Sequence, residues 1–274
     1  MRLTLALALA TAAFALIAPD AAPAAGQVAP RCHAEVPCVL GARSYHVKEP
    51  DDWDGKTPLP VLLHFHGWMR QGTLIVKHGR ISGATRRRGV LLLAPNGQGR
   101  TWDFWTRTTD DVAFAAAVIE DAAKRYPIDR SRIYVSGYSY GSAMAWRYVC
   151  ENGDGVAALL AVSGTLRQDE TCAEAPREVR HVHGTRDTVM DFPFGPDGET
   201  TWPVRLWRER MGCAGEGQDG GEWSVTEHDS FARTTWDCAA GRVALDVHGR
   251  GHFIPRGWIA RQLDELLGRP LSYP

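Results

Sequence analysis

The chain has 274 residues, with 31 Lys+Arg against 32 Asp+Glu and a formal net charge of -1. That balance excludes the basic footprint of a nucleic-acid binder, and 44% hydrophobic with 23% charged residues excludes wholesale disorder. The length allows one large domain or two small ones, and 28 glycines with 16 prolines suit strands alternating with helices through many turns.

Met1 and Arg2 make a short positive start, and Leu3 to Ile17 is an uncharged run of mostly Leu and Ala. Pro19 and Asp20 end it, and Ala22-Pro23-Ala24 is a small-residue pattern of the kind signal peptidase cuts. The run is shorter than the roughly 20 apolar residues a membrane-spanning helix needs, so no membrane span is expected. A signal peptide over 1–24 and a mature chain over 25–274, secreted or periplasmic, are therefore predicted. The six cysteines, Cys32, Cys38, Cys150, Cys172, Cys213 and Cys238, all lie in the mature part, an even number suited to an oxidising compartment. Pairing of sequence neighbours is expected: Cys32–Cys38, Cys150–Cys172 and Cys213–Cys238. Zinc is the rival reading, but no two cysteines come within four residues of each other.

Along the mature chain, Leu59–Phe65 is an apolar run closed by His66-Gly67, and Val90–Ala94 a second, closed by Pro95-Asn96-Gly97. The runs Arg132–Ser136, Ala158–Val162, Val179–His183 and Val243–Val247 follow. Short apolar runs of this kind predict strands buried on both faces of a parallel sheet. Between them, Asp110 to Tyr126 predicts a helix with Val112, Ala116, Ile119 and Ala123 on its apolar face and Asp110 and Asp111 at its positive end. Ile259, Leu263, Leu266 and Leu267 predict a last helix, stopped by Gly268 and Pro270. Asp191 to Gly221 breaks the rhythm and is expected to be loop, with one short helix around a core-packed Trp207. The alternation predicts an α/β fold with a mostly parallel sheet flanked by helices, in a single domain.

Gly137-Tyr138-Ser139-Tyr140-Gly141 matches G-x-S-x-G. A bare match arises by chance about 0.1–0.2 times in such a chain, so context decides. Here a predicted strand precedes the motif and a helix-compatible run, Ser142 to Tyr148, follows it, the setting of a nucleophile elbow. The flanking glycines let strand and helix approach closely around a strained serine. A serine hydroxyl needs a base to take its proton and a carboxylate to orient that base. In folds of this kind the order is Ser, then Asp/Glu, then His. Asp187, after the strand Val179–His183, and His252, after the strand Val243–Val247, complete a catalytic triad with Ser139. Asp191 is a weaker candidate acid, and His248, at a strand terminus, suits a packed or capping role. His64-x-His66 offers a metal pair without an evident third ligand, so no metal and no cofactor are expected. The oxyanion would be held by the backbone N–H groups of Tyr140 and Trp68.

These residues resemble the secreted α/β-hydrolase esterases that include polyhydroxybutyrate depolymerases, feruloyl esterases and acetylxylan esterases. The resemblance runs from about Cys38 to Pro255. It rests on His66-Gly67, Asp110-Asp-Val-Ala-Phe114, Tyr126-Pro-Ile-Asp129, Gly137–Gly141, His183-Gly-Thr-Arg-Asp187 and Gly251-His252, with Met211-Gly-Cys213 resembling the family's Asn-Gly-Cys segment. It implies the α/β-hydrolase fold and places nucleophile, acid and base at Ser139, Asp187 and His252. Departures are Gly141-Ser142 where the family often has Gly-Gly, Phe253-Ile-Pro255 where Trp-Pro is usual, and a short aromatic segment between Gly97 and Asp110.

The expected reaction is two-step ester hydrolysis through an acyl-enzyme, on a small-molecule or oligomeric ester. Trp102, Phe104, Trp105, Phe192 and Phe194 are candidate pocket residues, although aromatics are more often core. An acyltransferase or a peptidase would use the same triad, and a catalytically silent binding protein would not need it.

Overall fold

The computed structural model describes residues 29–106, 108–167, 170–190 and 202–272. The predicted signal peptide, Asp191, Phe192 and Phe194 lie outside the described residues.

Among the described residues one ten-stranded sheet runs in the order β1-β2-β4-β3-β5-β6-β7-β10-β9-β8. Its centre is parallel: β4 (Leu91–Pro95), β3 (Leu59–Phe65), β5 (Ile128–Tyr138), β6 (Ala158–Val162), β7 (Glu178–Gly184) and β10 (Gly241–His248). These are the six apolar runs of the sequence, buried because helices cover both sheet faces. The α/β reading of the fold holds.

Helices α3 (Asp111–Arg125), α4 (Tyr140–Asn152) and α5 (Trp202–Met211) pack one core with Val61, Leu63 and Phe65 of β3. On the opposite face α1 (Gly72–Lys77), α2 (Ser82–Arg86) and α6 (Trp258–Leu266) pack against Leu62, Leu92 and Leu160. Leu62 faces away from its neighbours in β3 because successive strand side chains alternate between faces. Trp207 is fully buried, as expected.

Several expectations need correction. The buried face of α3 is Asp111, Phe114, Ala115, Val118, Ile119 and Ala122, turned from the stripe predicted through Val112, Ala116 and Ala123. Its many alanines let the helix sit on either stripe, and Phe114 and Val118 decide. Asp110 and Asp111 do start the helix, but their side chains pair with Arg43 at 3.0 and 2.6 Å and make no cap hydrogen bond. Antiparallel strands extend both ends of the sheet: β1 (Cys38–Leu40) and β2 (Arg43–Lys48) at one, β8 (Gln218–Thr226) and β9 (Asp229–Cys238) at the other. The glycine-rich segment expected as loop therefore enters β8 at Gln218. The register slips between Asp219 and Glu222, and Gly221 takes a φ of 77° there, a conformation glycine adopts freely.

All six cysteines are paired, Cys32–Cys38, Cys150–Cys172 and Cys213–Cys238, as sequence neighbours. Among the described residues no helix is long and apolar enough to cross a membrane.

Candidate active site

Ser139 is the hinge between β5 and α4. Its N–H donates to the Val162 carbonyl of β6 at 3.0 Å, and its own carbonyl accepts from Ser142 and Ala143 at 2.9 and 3.0 Å. Held between sheet and helix, it takes φ 58° and ψ -123°, a conformation that costs a non-glycine residue about 1–3 kcal/mol. The flanking glycines are sterically required. A Cβ on Gly137 would stand 2.0 Å from the Gly141 carbonyl oxygen, and one on Gly141 would stand 2.1 Å from that of Phe65. The structure thus places Ser139 in a tight strand–turn–helix, at the carboxyl edge of the parallel strands where α/β sites gather.

Asp187 and His252 come together at the same edge. The loop after β7 is stitched to the loop after β10 by Thr185 N–H to His248 O at 2.9 Å and Arg186 N–H to Arg250 O at 3.1 Å. Asp187 Oδ1 accepts from the Val189 and Met190 amides at 2.9 Å each, and Oδ2 accepts from His252 Nδ1 at 2.7 Å. Burial pushes the Asp187 carboxyl up, but the hydrogen bonds from His183, His252 and the two amides outweigh it and hold it well below the usual carboxylate range. An ionised carboxylate only accepts, so His252 Nδ1 carries the proton and Nε2 is left as the acceptor, the tautomer a general base needs.

Tyr138 links this pair to the elbow. Its ring lies 4.8 Å from that of His252, centroid to centroid, and its hydroxyl donates to the His252 carbonyl at 3.2 Å. Burial and the Asp187 charge raise the Tyr138 phenol to about 12, so it stays a neutral donor. The hydrogen bonds of the site join His252 to Asp187 and to Tyr138.

The turn after β3 approaches the elbow from the other side. A Cβ on Gly67 would lie 3.4 Å from the Tyr138 carbonyl oxygen and 3.7 Å from Ser139 Cβ. Tyr140 opens α4, where a helix leaves its first amides without intrahelical acceptors. The rings of Trp68 and Tyr140 stand 6.4 Å apart. His66 fixes this turn. Its Nε2 accepts from Gly97 N–H at 3.0 Å, its Nδ1–H donates to Gly67 O at 2.8 Å, and Trp102 Nε1–H donates to its carbonyl at 2.8 Å. Burial lowers the His66 imidazole to about 4, which keeps it neutral for both roles.

The aromatic candidates divide. Trp102 is buried against Phe65 and His66, so it braces the turn. Phe104 and Trp105 pack edge-on to Tyr140 at 5.2 and 5.5 Å, beside the elbow, with Trp105 and Trp68 both exposed. His64 is bonded to the Ser136 hydroxyl at 3.0 Å, and His248 Nδ1 accepts from Arg250 N–H at 3.2 Å in a packed setting. Among the described residues no group of three His, Cys, Asp or Glu side chains is placed to hold a metal ion.

Local sequence assigns no role to Tyr138 or His183, and offers His66 only as half of a metal pair. A polar residue inside a doubly buried strand, as at His181 and His183, is the signal that marks such positions.

No family model matches the chain. It is 25% identical over 215 residues to the bifunctional acetylxylan esterase/xylanase of Neocallimastix patriciarum, covering 77% of this chain and 31% of that protein. It is 27% identical over 163 residues to the probable feruloyl esterase C of Aspergillus niger, covering 57% of this chain and 59% of the relative. The chain thus spans less than two thirds of the length of either. Among solved structures, the acetyl xylan esterase from Aspergillus awamori superposes with a TM-score of 0.62 at 15% identity, covering 83% of this chain and 94% of that one. The fold is that of the α/β-hydrolases, and the resemblance to esterases read from the motifs is matched by relatives bearing those names.

Proposed function

We propose that the chain is an exported serine esterase, a carboxylic ester hydrolase with Ser139 as nucleophile, His252 as general base and Asp187 as its orienting acid. The observation that carries this reading is the strained Ser139 elbow at the same sheet edge as the 2.7 Å Asp187–His252 pair. His252 Nε2 takes the Ser139 proton as the hydroxyl attacks the ester carbonyl, and Asp187 stabilises the imidazolium. The Tyr140 and Trp68 amides hold the tetrahedral oxyanion. His252 then protonates the leaving alcohol, activates water and releases the acid, so the cycle needs no cofactor. Relatives named for acetylxylan and feruloyl esters support a small or oligomer-borne carboxylic ester as substrate. The Leu3–Ile17 run and the three disulfides support export after removal of residues 1–24, with one catalytic domain over 25–274.

Hydrolysis of p-nitrophenyl butyrate by the mature protein tests the reading. Ser139→Ala is expected to lower kcat at least about a thousandfold. Turnover surviving in folded Ser139→Ala would sink it.

A further inference from the structure

Behind the Asp187–His252 pair lies a second pair of imidazoles. His181 and His183 are alternate residues of β7, so their side chains leave the same face of the sheet, and both are fully buried. His181 Nε2 stands 3.2 Å from His183 Nδ1. His183 Nε2 stands 2.7 Å from the Met190 carbonyl oxygen and 3.3 Å from Asp187 Oδ2, the oxygen that receives His252.

The far end of this chain fixes the protons. A carbonyl and a carboxylate can only accept, so His183 Nε2 carries a hydrogen. In the uncharged form of that ring Nδ1 is then the acceptor, and the hydrogen between the two rings belongs to His181 Nε2. Burial drives the His181 imidazole well below its ordinary range, which keeps it neutral. The Trp146 ring, 5.5 Å away by centroids, packs His181 in place.

We propose that His183, packed against His181, is a positioning residue for Asp187: it clamps the Asp187–Met190 turn through the Met190 carbonyl and sets a second imidazole N–H beside Oδ2. The inference rests on the Ser139–Asp187–His252 reading above. Because the Met190 amide donates to Oδ1 while its carbonyl receives His183, one turn is gripped from both sides. The Oδ2 charge is shared between His252 and His183. Without His183, more of it falls on the imidazolium that forms on His252, which favours the protonated ring. The acidic limb of the activity profile then moves to higher pH. A fold merely loosened would lose activity evenly across pH. Charged or titratable groups near these rings among the described residues include His248, with Arg250 and Asp229 near it, and Tyr138, with Arg70 near it; substitutions at His183 leave all of them in place.

The test compares His183→Leu with His183→Gln, whose side-chain amide still offers an N–H toward the turn. Thermal unfolding and p-nitrophenyl butyrate kinetics are read from about pH 5 to about pH 9. For folded His183→Leu, kcat/KM at about pH 6 is expected to fall about tenfold, with the acidic limb shifted up and a loss of less than about threefold at the alkaline plateau. His183→Gln is expected to restore most of that profile. A wild-type limb in folded His183→Leu, or a loss equal at every pH, overturns the proposal. Should His183→Leu fail to fold, His183→Phe carries the test, because it keeps a ring of similar size there and removes the N–H. An unshifted limb in folded His183→Phe overturns the proposal equally. Ser139→Ala in parallel keeps the two readings apart: if it retains turnover, the triad itself has failed, whatever the histidine variants do.

Discussion

Gly141 packs its Cα against the end of β3. A Cβ there would stand 2.1 Å from the Phe65 carbonyl oxygen and 2.5 Å from that of His66, both backbone atoms that no rotamer change can move. Gly141→Ala is therefore expected to push α4 off the sheet, costing about 2–4 kcal/mol in chemical denaturation and most of the ester turnover. A variant within about 0.5 kcal/mol of the parent would show that the elbow has room to spare. Steric need of this kind is why the pentapeptide was legible: its glycines mark the turn, and an apolar run on one side and a helix on the other confirm it. The meeting of Asp187 and His252 at one sheet edge was legible for a related reason, since each follows its own buried strand. Tyr138, His66 and His183 were harder to see. Their roles depend on which loop meets which, as when Gly97 closes on His66 Nε2, and such meetings across the fold leave no mark in local sequence.

At the scale of elements, the six central strands were readable because burial on both faces makes them continuously apolar. The antiparallel flanks lack that signature. Gln218–Thr226 has a mostly exposed strand pattern and a glycine bulge, which reads as loop until β9 is beside it. Arg43 in β2 shows the same problem from the core side: a single buried cation in a short strand names no partner. The structure gives it Asp111 at the start of α3, at 2.6 Å, with the guanidinium carbon 3.7 Å from the centroid of the Phe114 ring. The pair reinforces the stripe of α3 that Phe114 and Val118 turn to the sheet, and removing the cation alone would strand a buried carboxylate. Arg43→Leu is expected to cost about 3 kcal/mol, and adding Asp111→Asn to recover part of that loss. Urea titrations of the single and double variants check this. A double variant less stable than Arg43→Leu would mean that Asp111 acts mainly through its hydrogen bonds from Asp103 N–H and the Thr109 hydroxyl.

Across the whole molecule, the cysteines and the sheet divide the labour of holding the site. The site rests on loops from β3, β5, β7 and β10, so its geometry depends on the parallel centre of the sheet, while two of the disulfides tie the periphery to it. Cys150–Cys172 joins the far end of α4 to the segment before β7, closing 22 residues, and Cys213–Cys238 joins the end of α5 to β9, closing 25. Loop closure of that length is worth about 3 kcal/mol of unfolded-state entropy for each bond. Cys150 lies at the opposite end of α4 from Ser139, a separation of roughly 16 Å along the helix. The bond should therefore stabilise the fold without shaping the elbow. Cys150→Ala with Cys172→Ala is expected to lower unfolding stability by about 3 kcal/mol while leaving kcat within about twofold at a temperature where the protein stays folded. Denaturation curves and initial rates on one preparation separate these effects. Full stability with lowered kcat would instead mean that the disulfide acts on the elbow through α4, and that the helix transmits strain along its length.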